Sequence, residues 1–116
     1  TSMDQPTLAS VGVSRPLNDH VIALATLTRD AGMHGVVASP LETAAIRQAC
    51  GPAFVIVTPG IRGGAASTER NDQSRTMGPA EAVRAGASYI VVGRPIIAAP
   101  DRRAAAIAIA SELGGT

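Results

Sequence analysis

The sequence predicts an α/β fold with a parallel sheet. Three short apolar runs, rich in β-branched residues, cover residues 35–38, 54–57 and 89–92 and alternate with helical patterns. Unbroken runs of this kind are typical of strands covered on both faces. Their alternation with helices implies right-handed βαβ units. A closed barrel and an open doubly wound sheet both fit this order.

The expected helices are bounded by recognisable start and stop residues. They cover residues 17–31, 40–50, 79–85 and 101–113. The first carries an apolar stripe at helical spacing, formed by Leu17, Val21, Leu24 and Leu27. Ser39 precedes the second helix and Glu42 follows three residues later, which is the pattern of a capping box. Residues 1–16 have no periodic pattern and are expected to be irregular.

Composition narrows the class of protein. The net charge is +1, charged residues make up 16% of the chain, and no run of one sign occurs, so nothing favours a nucleic-acid or membrane partner. The only cysteine, Cys50, is expected in the core; the chain can form no internal disulfide, and a cytoplasmic location is predicted. Two histidines without ligand spacing predict no metal site. All ten basic residues are arginine, and lysine is absent.

Length limits the architecture further. The chain has 116 residues, which suffices for one domain with a modest core. A complete (β/α)8 barrel needs about 250 residues. If the repeating units belong to a barrel, about half of that barrel is present.

One long segment, residues 59–78, interrupts the alternation of strands and helices. It follows a strand directly and has no periodicity, so it is expected at the carboxyl face of the sheet, where barrel enzymes bind substrates. Its glycines and its polar residues Arg62, Arg70, Gln73 and Arg75 are suited to an oxyanion, because glycine lets backbone amides approach closely and arginine offers a planar fork. A solvated loop without a ligand is the alternative interpretation.

A second cationic position follows the last strand. Gly93 and Arg94 come directly after its apolar run. In barrels, phosphate commonly binds at the loops after the last two strands. Arg62, Gln73, Gly93 and Arg94 are therefore expected to converge on one phosphate site. The alternative for Arg94 is an ion pair with a surface carboxylate.

These motifs resemble the closing half of bacterial orotidine 5'-phosphate decarboxylases. The resemblance rests on Thr-Pro-Gly-Ile-Arg at 58–62, Asn-Asp-Gln-Ser-Arg at 71–75 and Val-Gly-Arg-Pro at 92–95. Residues 30–39 resemble the sixth-strand region, and residues 1–3 the end of the fifth strand. The resemblance implies that residues 1–116 form the carboxy-terminal half of a single (β/α)8 barrel domain, from the end of strand five to strand eight.

The resemblance also implies a reaction and a set of site residues. Arg62, Gln73, Gly93 and Arg94 would bind the 5'-phosphate of orotidine 5'-phosphate, and Thr1 would contact the pyrimidine. The family decarboxylates its substrate to UMP without a metal or cofactor and uses lysines and aspartates from the early strands. This chain has no lysine. It is therefore expected to be inactive alone and to need the amino-terminal half of the barrel, within a homodimer.

Two alternatives to the decarboxylase remain at this stage. One alternative is a non-catalytic half-barrel that binds phosphorylated ligands. The other is part of another phosphate-binding barrel lyase.

Overall fold

The computed structural model describes residues 2–62 and 77–114. Within them the elements are α1 (Gln5–Ser10), α2 (Leu17–Asp30), β1 (Gly35–Val37), α3 (Pro40–Cys50), β2 (Val55–Thr58), α4 (Pro79–Arg84), β3 (Tyr89–Ile90), α5 (Arg94–Ile97) and α6 (Arg102–Glu112). Among these elements, no helix is both long and apolar enough to cross a membrane.

The three strands form one parallel sheet in the order β1-β2-β3. Val36 lies opposite Ile56, and Thr58 lies opposite Ile90. All three predicted strands, the parallel pairing and the four predicted helices are therefore confirmed. Because the strands are parallel, their carboxyl ends meet at the same edge of the sheet.

Helices α2 and α3 pack together and cover one face of the sheet. Ala25, Ile46, Phe54 and Ile56 form a buried cluster between these helices and β2. Cys50 packs against the cluster as a partly buried residue, as the sequence predicts. Removal of this apolar surface from water is the main contribution to stability in this part of the fold.

A second buried cluster lies under the loop that follows β2. It consists of Ile61, Ala82 and Ala87, with Ile90 packed against it. The cluster joins the loop to α4 and β3, so it fixes the position of the neighbouring Arg62.

The opposite face of the sheet is open in the part of the chain that the structure describes. Val37, Val57 and Tyr89 are register partners on this face, and Val37 and Tyr89 are 72% and 65% exposed. The prediction that the strands are covered on both faces is wrong for these residues. A sheet that exposes a large apolar face and two edges needs another layer or another chain to cover it.

The first 16 residues differ from the expectation, because they contain α1. Asp4 caps this helix, and its carboxylate accepts a hydrogen bond from the backbone N–H of Thr7 at 2.9 Å. Hydrogen bonding to Thr7 lowers the pKa of Asp4 below its ordinary value of 3.8. The Gln5 side chain then accepts from the N–H of Leu17 at 2.6 Å, which connects α1 to the start of α2.

The start of α3 also differs in detail. The Ser39 hydroxyl accepts from the N–H of Leu41 at 3.4 Å, one residue earlier than a capping box requires. The N–H of Glu42 donates instead to the Ser39 carbonyl at 3.1 Å. Glu42 is only 4% exposed, so it lies buried in the first turn of α3.

Candidate functional site

Two loops at the carboxyl edge of the sheet enclose a small cavity. One loop continues from the end of β2 and the other from the end of β3. The cavity has a volume of about 190 Å³. It is lined by Pro59, Gly60, Ile61, Arg62, Val91, Gly93 and Arg94.

The backbone around Arg62 is held from both sides of the long segment. Ile61 and Met77 form a parallel bridge. The N–H of Arg62 donates to the Met77 carbonyl at 2.9 Å, and the N–H of Met77 donates to the Gly60 carbonyl at 3.4 Å. Gly60 has a φ of 75°, a conformation that glycine adopts without steric cost. The loop therefore turns sharply at Gly60 and places Arg62, a half-buried residue, in the lining of the cavity.

Arg94 reaches the same cavity from the other loop. It is the first residue of α5, and Gly93 precedes it. The Gly93 carbonyl accepts from the N–H groups of Ile96 and Ile97 at 2.9 and 3.0 Å. These bonds fix the turn in which Arg94 lies, while its side chain remains exposed.

The chemistry of the cavity favours an anion. Two arginines line one small space. The guanidinium group of arginine offers a planar set of donors that matches phosphate or carboxylate oxygens. An anion bound in this cavity would be attracted by the positive charge of both arginines. Among the described residues, no group of three or more His, Cys, Asp or Glu side chains could hold a metal ion.

The structure brings three of the predicted site residues together. Arg62 lines the same cavity as Gly93 and Arg94, although it lies on a different loop and far from them in the sequence. Thr1 and Gln73 lie outside the described residues. The roles of all five in ligand binding stay predictions.

Sequence reasoning missed the apolar part of the lining and a second depression. Pro59, Ile61 and Val91 complete the walls of the small cavity. A larger groove of about 400 Å³ runs along the edge of β1 and the stripe of α2. The sequence signal for this groove is the apolar stripe of α2, because Leu17, Val21 and Leu24 all line it.

A parallel sheet with helices on one face and a cationic cavity at its carboxyl edge is the architecture of a partial (β/α) barrel that binds anions. The chain belongs to the orotidine 5'-phosphate decarboxylase / HUMPS family, whose family model matches residues 1–109. The family resemblance seen in the sequence is therefore confirmed.

Individual relatives agree with this assignment. The chain is 58% identical over 114 residues to orotidine 5'-phosphate decarboxylase of Moorella thermoacetica, covering 97% of this chain and 44% of that protein. The enzyme of the same name from Geobacter sulfurreducens is 55% identical over 113 residues, which is 46% of its length. The chain thus spans less than half the length of these relatives.

Solved structures share the fold. The crystal structure of orotidine 5'-phosphate decarboxylase from Lactobacillus acidophilus matches with a TM-score of 0.79 and 35% identity, covering 99% of this chain and 46% of that one. The decarboxylase from Pyrococcus horikoshii OT3 matches with a TM-score of 0.66 and 30% identity, over 90% of this chain and 47% of that one. The fold is that of a partial barrel.

Proposed function

We propose that this chain is the carboxy-terminal half of an orotidine 5'-phosphate decarboxylase and supplies the phosphate-binding part of its active site. The observation that carries the proposal is the convergence of Arg62 and Arg94 on one cavity at the carboxyl edge, in a chain of this family. Residues 1–116 are then one part of a single barrel domain. The reaction converts orotidine 5'-phosphate to UMP and carbon dioxide.

Each predicted residue has a distinct role in this proposal. The guanidinium groups of Arg62 and Arg94 bind the phosphate oxygens, and the backbone at Gly93 approaches them closely. Gln73 contributes an uncharged donor from the long segment, and Thr1 contacts the pyrimidine. The phosphate is remote from the carbon that reacts, so its binding energy orients the substrate and stabilises the transition state.

The bond-breaking step needs groups that this chain does not have. The carbon–carbon bond to the carboxylate breaks, and the electron pair left on the pyrimidine carbon takes a proton. In the family a lysine from an early strand supplies this proton. Because the chain has no lysine, the proposal places the proton donor in the amino-terminal half. The chain alone is then inactive, and no metal or cofactor takes part.

The amino-terminal half is also the proposed partner for the groove beside β1. Leu17, Val21 and Leu24 of α2 line this groove together with Val36 and Val37 of β1. Within the described residues β1 pairs only with β2, so its outer edge is available to another strand. An apolar strand of the amino-terminal half, paired with β1, would cover this surface. We further propose that the complete barrel is a cytoplasmic homodimer.

The proposal is tested with the chain combined with the amino-terminal half of the barrel. Arg94→Ala should raise the Kd for UMP about 10- to 100-fold, because a charge-assisted hydrogen bond contributes about 1.5 to 3 kcal/mol. Arg102→Ala, which removes an exposed arginine on α6, is the matched control and should leave the Kd unchanged. Calorimetric titration with UMP gives both values. An unchanged Kd in Arg94→Ala contradicts the assignment of the cavity.

A second candidate function follows from the absence of lysine in a chain that retains an arginine-lined cavity. The chain would then be a non-catalytic module that binds phosphorylated ligands, or part of another phosphate-binding barrel lyase. An assay of the combined halves with orotidine 5'-phosphate, with carbon dioxide release as the readout, separates these possibilities. Release of carbon dioxide favours the decarboxylase. Binding of UMP without turnover by the combined halves favours the module.

A further inference from the structure

The buried polar residues of this chain are concentrated at one place. In the described ranges these residues are Ser39, Glu42, Thr43 and Thr58, with exposed fractions of 8% or less. Thr43 and Thr58 are completely buried. All four lie at the carboxyl ends of β1 and β2 or in the first turn of α3. Burial of hydroxyl groups costs free energy unless they are hydrogen-bonded, so the hydrogen bonds of these residues decide whether the cluster is stable.

The hydroxyls of Thr43 and Thr58 form a directed pair. The Thr43 hydroxyl donates to the Ser39 carbonyl at 3.1 Å. It also lies 3.2 Å from the Thr58 hydroxyl. A hydroxyl has one proton, and a carbonyl can only accept. Since Thr43 gives its proton to Ser39, Thr58 must be the donor in the bond between the two threonines.

This pair connects the loops that follow all three strands. Ser39 lies just after β1, and Thr58 is the last residue of β2, immediately before the loop that carries Arg62. The Thr58 carbonyl accepts from the N–H of Val91 at 2.9 Å. Val91 lines the cavity and precedes the loop of Arg94. A continuous hydrogen-bonded path therefore runs from the loop after β1 to both walls of the cavity.

We propose that Thr43 and Thr58 are positioning residues that hold the Arg62 loop in its ligand-binding conformation. The inference rests on the proposed function of the cavity and deepens it. Neither threonine lines the cavity, so both act through the backbone of the loop rather than by touching the ligand. Their hydroxyls fix the direction in which the chain leaves β2, and that direction sets where the Arg62 guanidinium lies.

Substitution of Thr43 and Thr58 by valine distinguishes a role in positioning the loop from a role in packing alone. Valine has nearly the shape of threonine but no hydroxyl, and replacing both partners of a buried hydrogen bond by apolar groups of the same shape is close to neutral for stability. Thr43→Val/Thr58→Val should therefore keep the thermal midpoint of the protein. If the pair positions the loop, the same variant binds the phosphate ligand more weakly.

The test measures the Kd for UMP and the thermal midpoint of the chain combined with the amino-terminal half. Thr43→Val should raise the Kd about 5- to 10-fold, and Thr58→Val somewhat less, because only the first leaves the Thr58 hydroxyl without an acceptor. The double variant should be no weaker than Thr43→Val, since the two residues act as one unit. Thr58→Ser restores the donor and should return the Kd to within about 2-fold of the original.

Thr26→Val is the matched control, because Thr26 is half-buried on α2 and does not line the cavity. It should leave the Kd unchanged. A double valine variant that binds UMP as tightly as the unsubstituted protein overturns the inference and leaves the proposed function intact. Absence of UMP binding by the unsubstituted protein overturns the proposed function and this inference with it.

Discussion

At the scale of single residues, Arg47 shows how one side chain can connect several elements. Its guanidinium donates twice to the Gly86 carbonyl, at 3.1 and 2.7 Å, and once to the Gly51 carbonyl at 2.8 Å. It also donates to the Phe54 carbonyl and to the Ser88 hydroxyl. These acceptors lie before β2 and before β3. Arg47 therefore joins α3 to the amino-terminal ends of two strands, opposite the cavity.

Replacing Arg47 should destabilise the fold without altering the cavity. Arg47→Met removes a charged donor from several half-buried carbonyls, so the free energy of unfolding should fall by about 2 to 4 kcal/mol. Arg47→Lys should recover little of this, because an ammonium group cannot span the same acceptors as a planar fork. Arg84→Met, at an exposed arginine on α4, is the control and should change the value by less than about 0.5 kcal/mol. Urea unfolding gives all four values. Equal stabilities of Arg47→Met and the control would contradict the role of Arg47.

The sequence predicts the position of some arginines and not of others. Arg62 and Arg94 were predicted to meet because each follows an apolar run, and parallel strands end at a common edge. Arg47 lies inside a helical pattern, and its partners Gly86 and Ser88 are 39 and 41 positions away. No local pattern signals such contacts. The Thr43–Thr58 pair was missed for the same reason, although a threonine at the end of a buried strand was visible.

At the scale of elements, strands and longer helices were predictable because their apolar residues repeat locally. The two helices that were missed are short, with six residues in α1 and four in α5. Helix α1 depends on the Asp4 cap and on the bond between the Gln5 side chain and Leu17, twelve residues away. Such short helices have little stability of their own, so their formation depends on contacts that periodicity does not reveal.

The pairing of β1 with β2 depends on a glycine at one position. A Cβ atom at Gly35 would lie 2.0 Å from the Val55 carbonyl oxygen, which is backbone and cannot move aside without displacing the strand. Gly35→Ala should therefore lower the free energy of unfolding by about 1 to 3 kcal/mol. Thermal or urea unfolding of the chain measures the change.

Gly78→Ala provides the control for this substitution. Gly78 has a φ of −73°, and the nearest atom to an added Cβ is the Arg62 carbonyl oxygen at 3.8 Å. The expected loss is less than about 1 kcal/mol, because alanine there meets only ordinary contacts. If both alanine variants were equally stable, the close approach of β1 and β2 at Gly35 would not constrain the residue.

At the scale of the whole molecule, the apolar surface is divided between a core and an open side. The core lies between the helices and one face of the sheet. Val37 on the open face of the sheet is 72% exposed, and Leu24 on α2, which packs on the other face, is 51% exposed. The apolar stripe of α2 is only partly buried by the described residues, which leaves part of it for contact with the rest of the barrel. Relatives more than twice as long as this chain are consistent with that explanation.

A pair of substitutions on α2 tests which surface the amino-terminal half covers. Leu24 lines the groove beside β1, whereas Leu27, one helical turn further and 65% exposed, does not. Leu24→Glu should weaken association of the two halves about 10- to 100-fold, because burying a leucine contributes about 1.5 to 3 kcal/mol. Leu27→Glu adds the same charge to the same helix and should change association less than about 3-fold. Sedimentation of mixed halves measures both constants. Equal weakening by the two variants would place the contact elsewhere on α2, and no weakening by either would mean that the groove is not the interface through which the barrel is completed.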